Sequence, residues 1–164
     1  QYRDDGFGIW KGSIESLLSF VKELNSFHST IKFTVTHGKS INYLDLTISI
    51  SDEGYLTTET FYKPTDSFAF LHSSSNHPTH CLNNIGLSQA IRHTRNCSSF
   101  STYIYHSKFL LHNLLLKGYK FNTVLKKIRQ VKYQKRKKLL SYTSKKPLTR
   151  TPFILHFNKN MPKI

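Results

Sequence analysis

Apolar residues recur along the chain with two different periods, one typical of helices and one typical of strands. From Ser13 to Phe27 they lie three and four residues apart, which predicts an amphipathic helix. Residues 31–36 and 44–50 alternate apolar and polar side chains, which indicates half-buried strands. A further strand over 55–62 would pair with 44–50 in a hairpin that ends at Pro64. The first part of the chain is therefore predicted to form an α+β layer.

Helical periodicity returns after a polar connector at residues 73–78. It predicts one short helix over 87–97, a second over 100–116 and a third over 122–138. Gly118 would end the second helix, because glycine readily adopts the left-handed conformation found at helix ends. Two helices joined by a short glycine-containing turn form a helix-turn-helix arrangement.

Charge divides the chain into two unlike parts. Residues 1–66 contain six Lys or Arg and all nine acidic residues, a net charge of −3. Residues 67–164 contain the other 18 basic residues and no acid, a net charge of +18. A segment that cannot neutralise its own charge favours a polyanionic partner, and nucleic acid is the first candidate. An anionic membrane surface and a solvated basic tail are the alternatives.

Composition narrows the class of protein. No stretch approaches the roughly 18 to 20 apolar residues that a membrane span requires, so no membrane span is expected, and nucleic acid is favoured over a membrane as the partner. The two cysteines, Cys81 and Cys97, are too few for a disulfide framework and indicate an intracellular protein of the nucleus, the cytoplasm or both. The only methionine is Met161, so we expect the chain to be a piece of something longer.

Two adjacent carboxylates, Asp4 and Asp5, precede the apolar run Gly6–Trp10. Between two strand-like stretches they are expected at the tip of a tight β-turn. Paired carboxylates are hard oxygen ligands of the kind that hold Mg²⁺ against phosphates. Aspartates are also common at turns because the side chain bonds its own backbone. The pair alone leaves both interpretations open.

Several short motifs in a fixed order are more specific than the aspartate pair. These motifs are Tyr2-Arg3-Asp4-Asp5, Ile9-Trp10, Leu24-Asn25-Ser26-Phe27-His28, Ile31-Lys32-Phe33-Thr34, Asn42-Tyr43-Leu44-Asp45, Tyr62-Lys63-Pro64-Thr65-Asp66, Ser75-Asn76-His77-Pro78 and Thr151-Pro152-Phe153-Ile154. In this order they resemble Penelope-like retroelement reverse transcriptases of animals, over essentially the whole chain.

The resemblance implies an α+β protein with three parts. Residues 1–72 would be the C-terminal part of a reverse-transcriptase palm. Residues 73–140 would be a basic helical region, thumb-like or helix-turn-helix. Residues 141–164 would be a linker and a strand, at 152–157, leading to a missing C-terminal part.

The resemblance also implies RNA-directed DNA synthesis with two Mg²⁺ ions, on an RNA template and a DNA primer. Asp4 would be the principal catalytic and metal-binding carboxylate, with Asp5 beside it. Tyr2, Lys32 and Lys63 would lie at the primer and substrate, although for Lys32 a solvated strand lysine is the favoured alternative. The upstream half of such a polymerase would be a required partner, and the chain alone is expected to be inactive.

The basic half supplies the candidate nucleic-acid contacts. These residues are Arg92, Arg95, Lys126, Lys127, Arg129, Lys132, Lys135, Arg136, Lys137 and Lys138. A dense cationic helix face suits the phosphate backbone of an RNA–DNA hybrid or duplex DNA, and Tyr119 or Tyr133 could stack on a base. The same run fits a nuclear localisation signal. The competing hypothesis is a non-catalytic helix-turn-helix protein derived from a decayed element.

Two other sets of residues carry weaker expectations. His72, His77, His80 and Cys81 resemble a metal cluster, but their spacing matches no common zinc site. We expect them to contact phosphate or to begin a helix. Asp45 could be a third metal ligand, but its place on the polar side of a strand favours a structural hydrogen bond.

Overall fold

The computed structural model describes residues 5–141. Tyr2, Asp4 and the strand predicted over 152–157 lie outside the described residues. The elements, in chain order, are α1 (Ile14–Leu24), β1 (Ser40–Tyr43), β2 (Leu46–Ile50), β3 (Leu56–Thr60), α2 (Thr79–Asn96), α3 (Phe100–Leu116), α4 (Phe121–Gln130), a 3-10 turn (Tyr133–Lys135) and α5 (Arg136–Leu140). The prediction of a mixed α+β chain is confirmed.

The three strands form an antiparallel sheet in the order β1-β2-β3. Tyr43 pairs with Leu46, so only Leu44 and Asp45 connect β1 to β2, and Leu44 takes a positive φ of 55° to close this turn. The prediction missed β1, because the apolar alternation was followed through Leu44 rather than broken there. The β2–β3 hairpin is confirmed, with Ile50 opposite Leu56.

The strand predicted over 31–36 is wrong, and this segment has no regular structure. The Asn25 side chain takes the place of a neighbouring strand: its amide oxygen accepts from the Phe33 N–H, and its Nδ2 donates to the Phe33 carbonyl at 2.9 Å. Period-two alternation indicates a surface with two faces, but a ladder forms only when a second strand lies alongside.

The helical part has a core made by three helices. Ala90 of α2, Leu110 and Leu114 of α3, and Val124 and Ile128 of α4 are all buried in one cluster. The prediction for α3 is confirmed at both ends. Helix α2 begins eight residues earlier than predicted, because Ile85 and the buried Gly86 also face this core.

The third helix does not run on to Lys138 as predicted. It ends at Gln130, and the chain continues as the 3-10 turn and α5. Tertiary contacts hold this break: the Tyr103 hydroxyl donates to the Val131 carbonyl at 3.4 Å, and the Tyr133 hydroxyl donates to the Cys97 carbonyl at 3.2 Å. The cationic run therefore does not form one continuous helix face.

Hydrogen bonds fasten the sheet to the helices at the end of α2. Thr58 of β3 receives a bond from the Ser98 N–H to its carbonyl at 2.8 Å, and donates from its own N–H to the Ser98 hydroxyl at 2.9 Å. Its hydroxyl donates to the Asn96 carbonyl at 2.6 Å. This junction places the sheet against the helical part.

Candidate nucleic-acid interface

The turn between α3 and α4 has the backbone geometry of a helix stop. Gly118 has a φ of 79°, its N–H donates to the Leu115 carbonyl at 2.9 Å, and the Tyr119 N–H donates to the Leu114 carbonyl at 3.1 Å. This bond pair is the Schellman motif, which satisfies carbonyls that the helix leaves unpaired. The turn therefore fixes the angle at which α4 leaves α3.

The segment before α2 packs on the same turn. The Ser73 N–H donates to the Lys117 carbonyl at 2.9 Å, and its hydroxyl donates to the Gly118 carbonyl at 2.8 Å. A Cβ at position 118 would lie 2.7 Å from the Ser73 hydroxyl oxygen and 3.1 Å from the His72 ring. Glycine is needed here for its conformation and also for space.

Helix α4 buries one face and exposes a cationic one. Val124 and Ile128 face the core, whereas Lys126 and Arg129 are exposed, with Lys127 half-buried between the two faces. Its apolar side chains recur at four-residue spacing, so the cations between them necessarily point outward.

The predicted cations after α4 are spread over shorter elements. Those exposed to solvent are Lys132, Lys135, Lys137 and Lys138. Residues 67–141 contain no acid, so no carboxylate of this segment reduces their charge. We refer to these four exposed lysines together with Lys126 and Arg129 as the basic surface.

Three of the predicted arginines have structural partners. The Arg92 Nε donates to the Asp45 carboxylate at 3.0 Å, in an ion pair that joins the helices to the sheet. The Arg95 Nε donates to the Leu139 carbonyl at 3.2 Å, and an Arg136 Nη donates to the Arg95 carbonyl at 3.1 Å. These contacts tie α5 to α2.

Asp45 has the structural role that the sequence favoured. Its carboxylate accepts from Arg92 and also from the Asn96 Nδ2 at 3.2 Å. Partial burial raises the pKa of Asp45, but these hydrogen bonds and the Arg92 charge outweigh burial and hold the pKa below its ordinary value. The carboxylate therefore stays charged and bonded.

The two tyrosines considered for stacking are used inside the fold. Tyr133 packs against Tyr103 with ring centroids 5.2 Å apart, and Tyr119 packs on the helical core. Burial raises the pKa of both hydroxyls.

Of the residues predicted at the primer and the metal, the structure describes Asp5, Lys32 and Lys63, and each has different surroundings. Asp5 is exposed and forms an isolated β-bridge, and its carbonyl accepts from the Tyr43 hydroxyl at 3.4 Å. Lys32 donates from Nζ to the Asn25 and His28 carbonyls at 2.6 and 3.2 Å, where it caps the C-terminal end of α1. Lys63 is exposed after β3.

The His72, His77, His80 and Cys81 side chains make local contacts. His72 and His77 bond the hydroxyls of Ser74 and Ser75, at 2.7 and 2.6 Å. Across residues 5–141, no group of three or more His, Cys, Asp or Glu side chains is arranged to hold a metal ion.

A buried polar cluster at the sheet–helix junction was not predicted. Tyr62 and His93 Nε2 are hydrogen bonded at 2.9 Å, and the His93 and His106 rings lie 5.6 Å apart. Burial lowers the pKa of His93 to about 3 and raises that of Tyr62 to about 12. His93 and His106 fall at core-facing positions of α2 and α3, and this periodicity was the signal available in the sequence.

His106 lies near an acid without bonding it well. Its Nε2 is 3.7 Å from the Glu59 carboxylate, too long for a hydrogen bond. Burial lowers the pKa of His106, and the Glu59 carboxylate offsets this only in part. Both histidines are therefore neutral at pH 7.

Comparison with known proteins finds one family to which the helical part is similar. Residues 69–130 match the family described as animal helix-turn-helix domain, a range that begins ten residues before α2 and ends with α4. No curated protein and no solved structure matches the chain. Among the described residues, no helix is long and apolar enough to cross a membrane. The helix-turn-helix prediction is therefore confirmed.

Proposed function

We propose that the protein binds nucleic acid through its helix-turn-helix domain, with the basic surface lying along the phosphate backbone. The observation that carries this proposal is the exposure of Lys126, Arg129 and Lys132 in a segment, residues 67–141, that has no acid. Cations without neighbouring carboxylates release counterions from DNA or RNA when they approach its phosphates.

The basic surface suits phosphates better than base edges. Five of its six cations are lysines, which act as point charges, whereas bidentate recognition of a guanine edge favours arginine. Arg129 is the exception, and its guanidinium is exposed on α4. We therefore expect strong salt dependence and little sequence preference from this surface.

A salt titration tests the proposal. Affinity for a 20-base-pair duplex and for an RNA–DNA hybrid is measured by fluorescence anisotropy from 50 to 300 mM KCl. Each phosphate contact contributes about 0.9 to the slope of log K against log salt. Lys126→Gln and Lys132→Gln should each reduce the slope by about 1.

Lys22→Gln is the matched control, because Lys22 is an exposed helix lysine outside the basic surface. It should leave both the affinity and the slope unchanged. Binding without dependence on salt, or an equal effect of Lys22→Gln, would contradict the proposal.

A second candidate places this domain in the C-terminal part of a retroelement reverse transcriptase. The observation that favours it is the uncovered apolar side of the chain's first part, where Ile14, Leu18 and Phe20 of α1 are exposed. The remaining, upstream half of a palm would supply the cover, and RNA template and DNA primer would be the partners.

Asp4 and Asp5 would then hold Mg²⁺ beside a primer end. Asp5 fits this role in exposure and chemistry, since a solvent-accessible carboxylate is the ligand that hydrated Mg²⁺ takes. When bound, the metal ions would activate the primer hydroxyl and stabilise the leaving pyrophosphate. The contribution of the chain is to place the carboxylates and, through the basic surface, to hold the hybrid.

The test joins the chain to an upstream polymerase half. Asp4→Asn should abolish primer extension and leave hybrid binding within about twofold, because it removes a ligand and not a phosphate contact. An extension activity that survives Asp4→Asn would refute the second candidate. Extension by the 164-residue chain alone would refute only the expectation that the upstream half is required.

A further inference from the structure

A groove of about 400 Å³ lies between α3, α4 and the segment that follows α4. Its walls are mostly apolar and include Ile104 and Leu111 of α3, Leu125 of α4 and Val131. It spans the end of the helix-turn-helix match at residue 130 and shares Arg129 and Lys132 with the basic surface.

One residue that lines this groove, Ser107, has a polar group that is unpaired among the described residues. Ser107 is only 7% exposed, and its hydroxyl has no hydrogen bond within the described part of the chain. A buried hydroxyl left unpaired is unfavourable, so a ligand that offers a donor or an acceptor would be stabilised there. The groove is therefore suited to an apolar ligand that has a polar edge.

The rim of the groove adds a charge requirement. Lys108, Arg129 and Lys132 are all exposed and all line the groove. Residues 142–164 of the chain carry five cations and no acid, so their charge disfavours them as its occupant. The occupant should be anionic around an apolar body.

We propose that this groove receives an unpaired nucleobase, with the adjoining phosphates held by Lys108, Arg129 and Lys132. A base combines flat apolar faces, a hydrogen-bonding edge that could reach Ser107, and a phosphate on either side. This proposal rests on the proposed nucleic-acid binding. It adds a preference for a single-stranded end or a flipped base over a continuous duplex.

The acidic helix of a partner protein is a poorer fit. Such a helix could place apolar side chains in the groove and carboxylates at the rim. Its backbone groups are bonded within the helix, so its apolar face would leave the Ser107 hydroxyl unpaired. A base edge carries the donors and acceptors that this hydroxyl lacks.

The experiment compares a blunt duplex with the same duplex carrying a three-nucleotide overhang that contains 2-aminopurine. The full chain should bind the overhang about tenfold more tightly, as stacking of one base on apolar and aromatic side chains provides. The 2-aminopurine fluorescence should change on binding. Ser107→Ala should weaken overhang binding about threefold and leave blunt binding unchanged.

Ile104→Phe fills the groove without changing charge and should abolish the overhang preference. Leu116→Phe is the matched control, because Leu116 is on the same helix, 67% exposed and outside the groove. If Ile104→Phe unfolds by circular dichroism, Leu125→Phe fills the groove from the opposite wall.

The outcomes separate the two proposals. Equal binding of blunt and overhang duplexes refutes the groove site alone, whereas failure to bind either refutes both. An acidic amphipathic peptide that binds the wild type, fails on Ile104→Phe and displaces the overhang would assign the groove to a protein partner and overturn this inference.

Discussion

The first part of the chain and the helical part have similar patterns of apolar residues, but only the helical part buries them in a core. Within residues 5–50 no residue is buried, and Phe27 is 77% exposed. In the helical part Leu110 and Leu114 are 2% and 1% exposed. Helices α1 and α4 are both amphipathic, but among the described residues only α4 buries residues of its apolar face, and α1 buries none. An amphipathic pattern thus shows that a helix has an apolar face to bury, but it does not show which element packs against that face.

Charge follows the same division. The acids of the whole chain lie in residues 1–66, whereas residues 67–164 have none. The Asp45–Arg92 ion pair crosses between the two parts. Both side chains are partly exposed, so the pair contributes orientation more than stability. The difference in sign is the reason why the proposed nucleic-acid contacts are all on the helical part.

The largest effect is expected from truncating the helical core. Leu114→Ala should lower the free energy of unfolding by about 2 to 5 kcal/mol, because it removes buried methyl groups and leaves a cavity. Leu18→Ala on α1 should change it by less than about 0.5 kcal/mol, since Leu18 is already 50% exposed. Urea denaturation of both variants measures the difference. Equal losses would show that α1 is covered in solution.

Acidification should weaken the junction between the two parts. The pKa of His93 is about 3 in the folded protein against an ordinary 6.5, so the unfolded state binds more protons between these values. The contribution of neutral His93 to the free energy of unfolding is therefore fully present above pH 6.5. It falls as the pH drops toward 3, and about 2 kcal/mol is lost at pH 5. The lowered pKa of His106 acts in the same direction.

Denaturant unfolding followed by circular dichroism at pH 7.5 and pH 5 measures this loss. His93→Phe should flatten the pH dependence, whereas the exposed His112→Asn should retain it. A pH dependence that His93→Phe leaves intact would remove His93 as its source.

The smallest expected effect is the difference in stability cost between alanine substitutions at Gly118 and at Gly54. Gly118→Ala should cost about 2 kcal/mol, from the positive φ and from the collision with Ser73. Gly54 has a φ of 82°, but a Cβ added there would have no neighbouring atom within 4 Å. Gly54→Ala should therefore cost about 1 kcal/mol. Thermal denaturation compares them. A Gly118→Ala cost no larger than that of Gly54→Ala would mean that the contact with residues 72 and 73 yields freely.

The sequence predicted local structure best where local physics is sufficient. Helix α3 was located at both ends, and Gly118 was recognised as its stop, because a helix closes its hydrogen bonds within one segment. The strand over 31–36 was wrong, because strand formation depends on a neighbour that alternation does not reveal. The cationic run was predicted as one helix, yet hydroxyl bonds from Tyr103 and Tyr133 hold a break after Gln130.

The sequence predicted which residues belong to the candidate site better than it predicted which of them have partners inside the fold. Lys126 and Arg129 were predicted as phosphate contacts and lie exposed on α4, where they can serve as such. Arg92 was in the same predicted set, but its partner is Asp45, 47 positions earlier in the chain. The groove with Ser107 could not be predicted at all, because its walls come from two helices and a turn.

The amino-acid sequence alone determined the separation of charge, the helix-turn-helix pattern and the turn at Gly118, since each depends on residue type and short spacing. Tertiary structure decided which polar groups became neighbours: Asp45 with Arg92, Tyr62 with His93, and Ser107 with the basic rim. The physical reason is distance along the chain. A contact between residues dozens of positions apart depends on how whole elements pack, and that packing is a property of the assembled core.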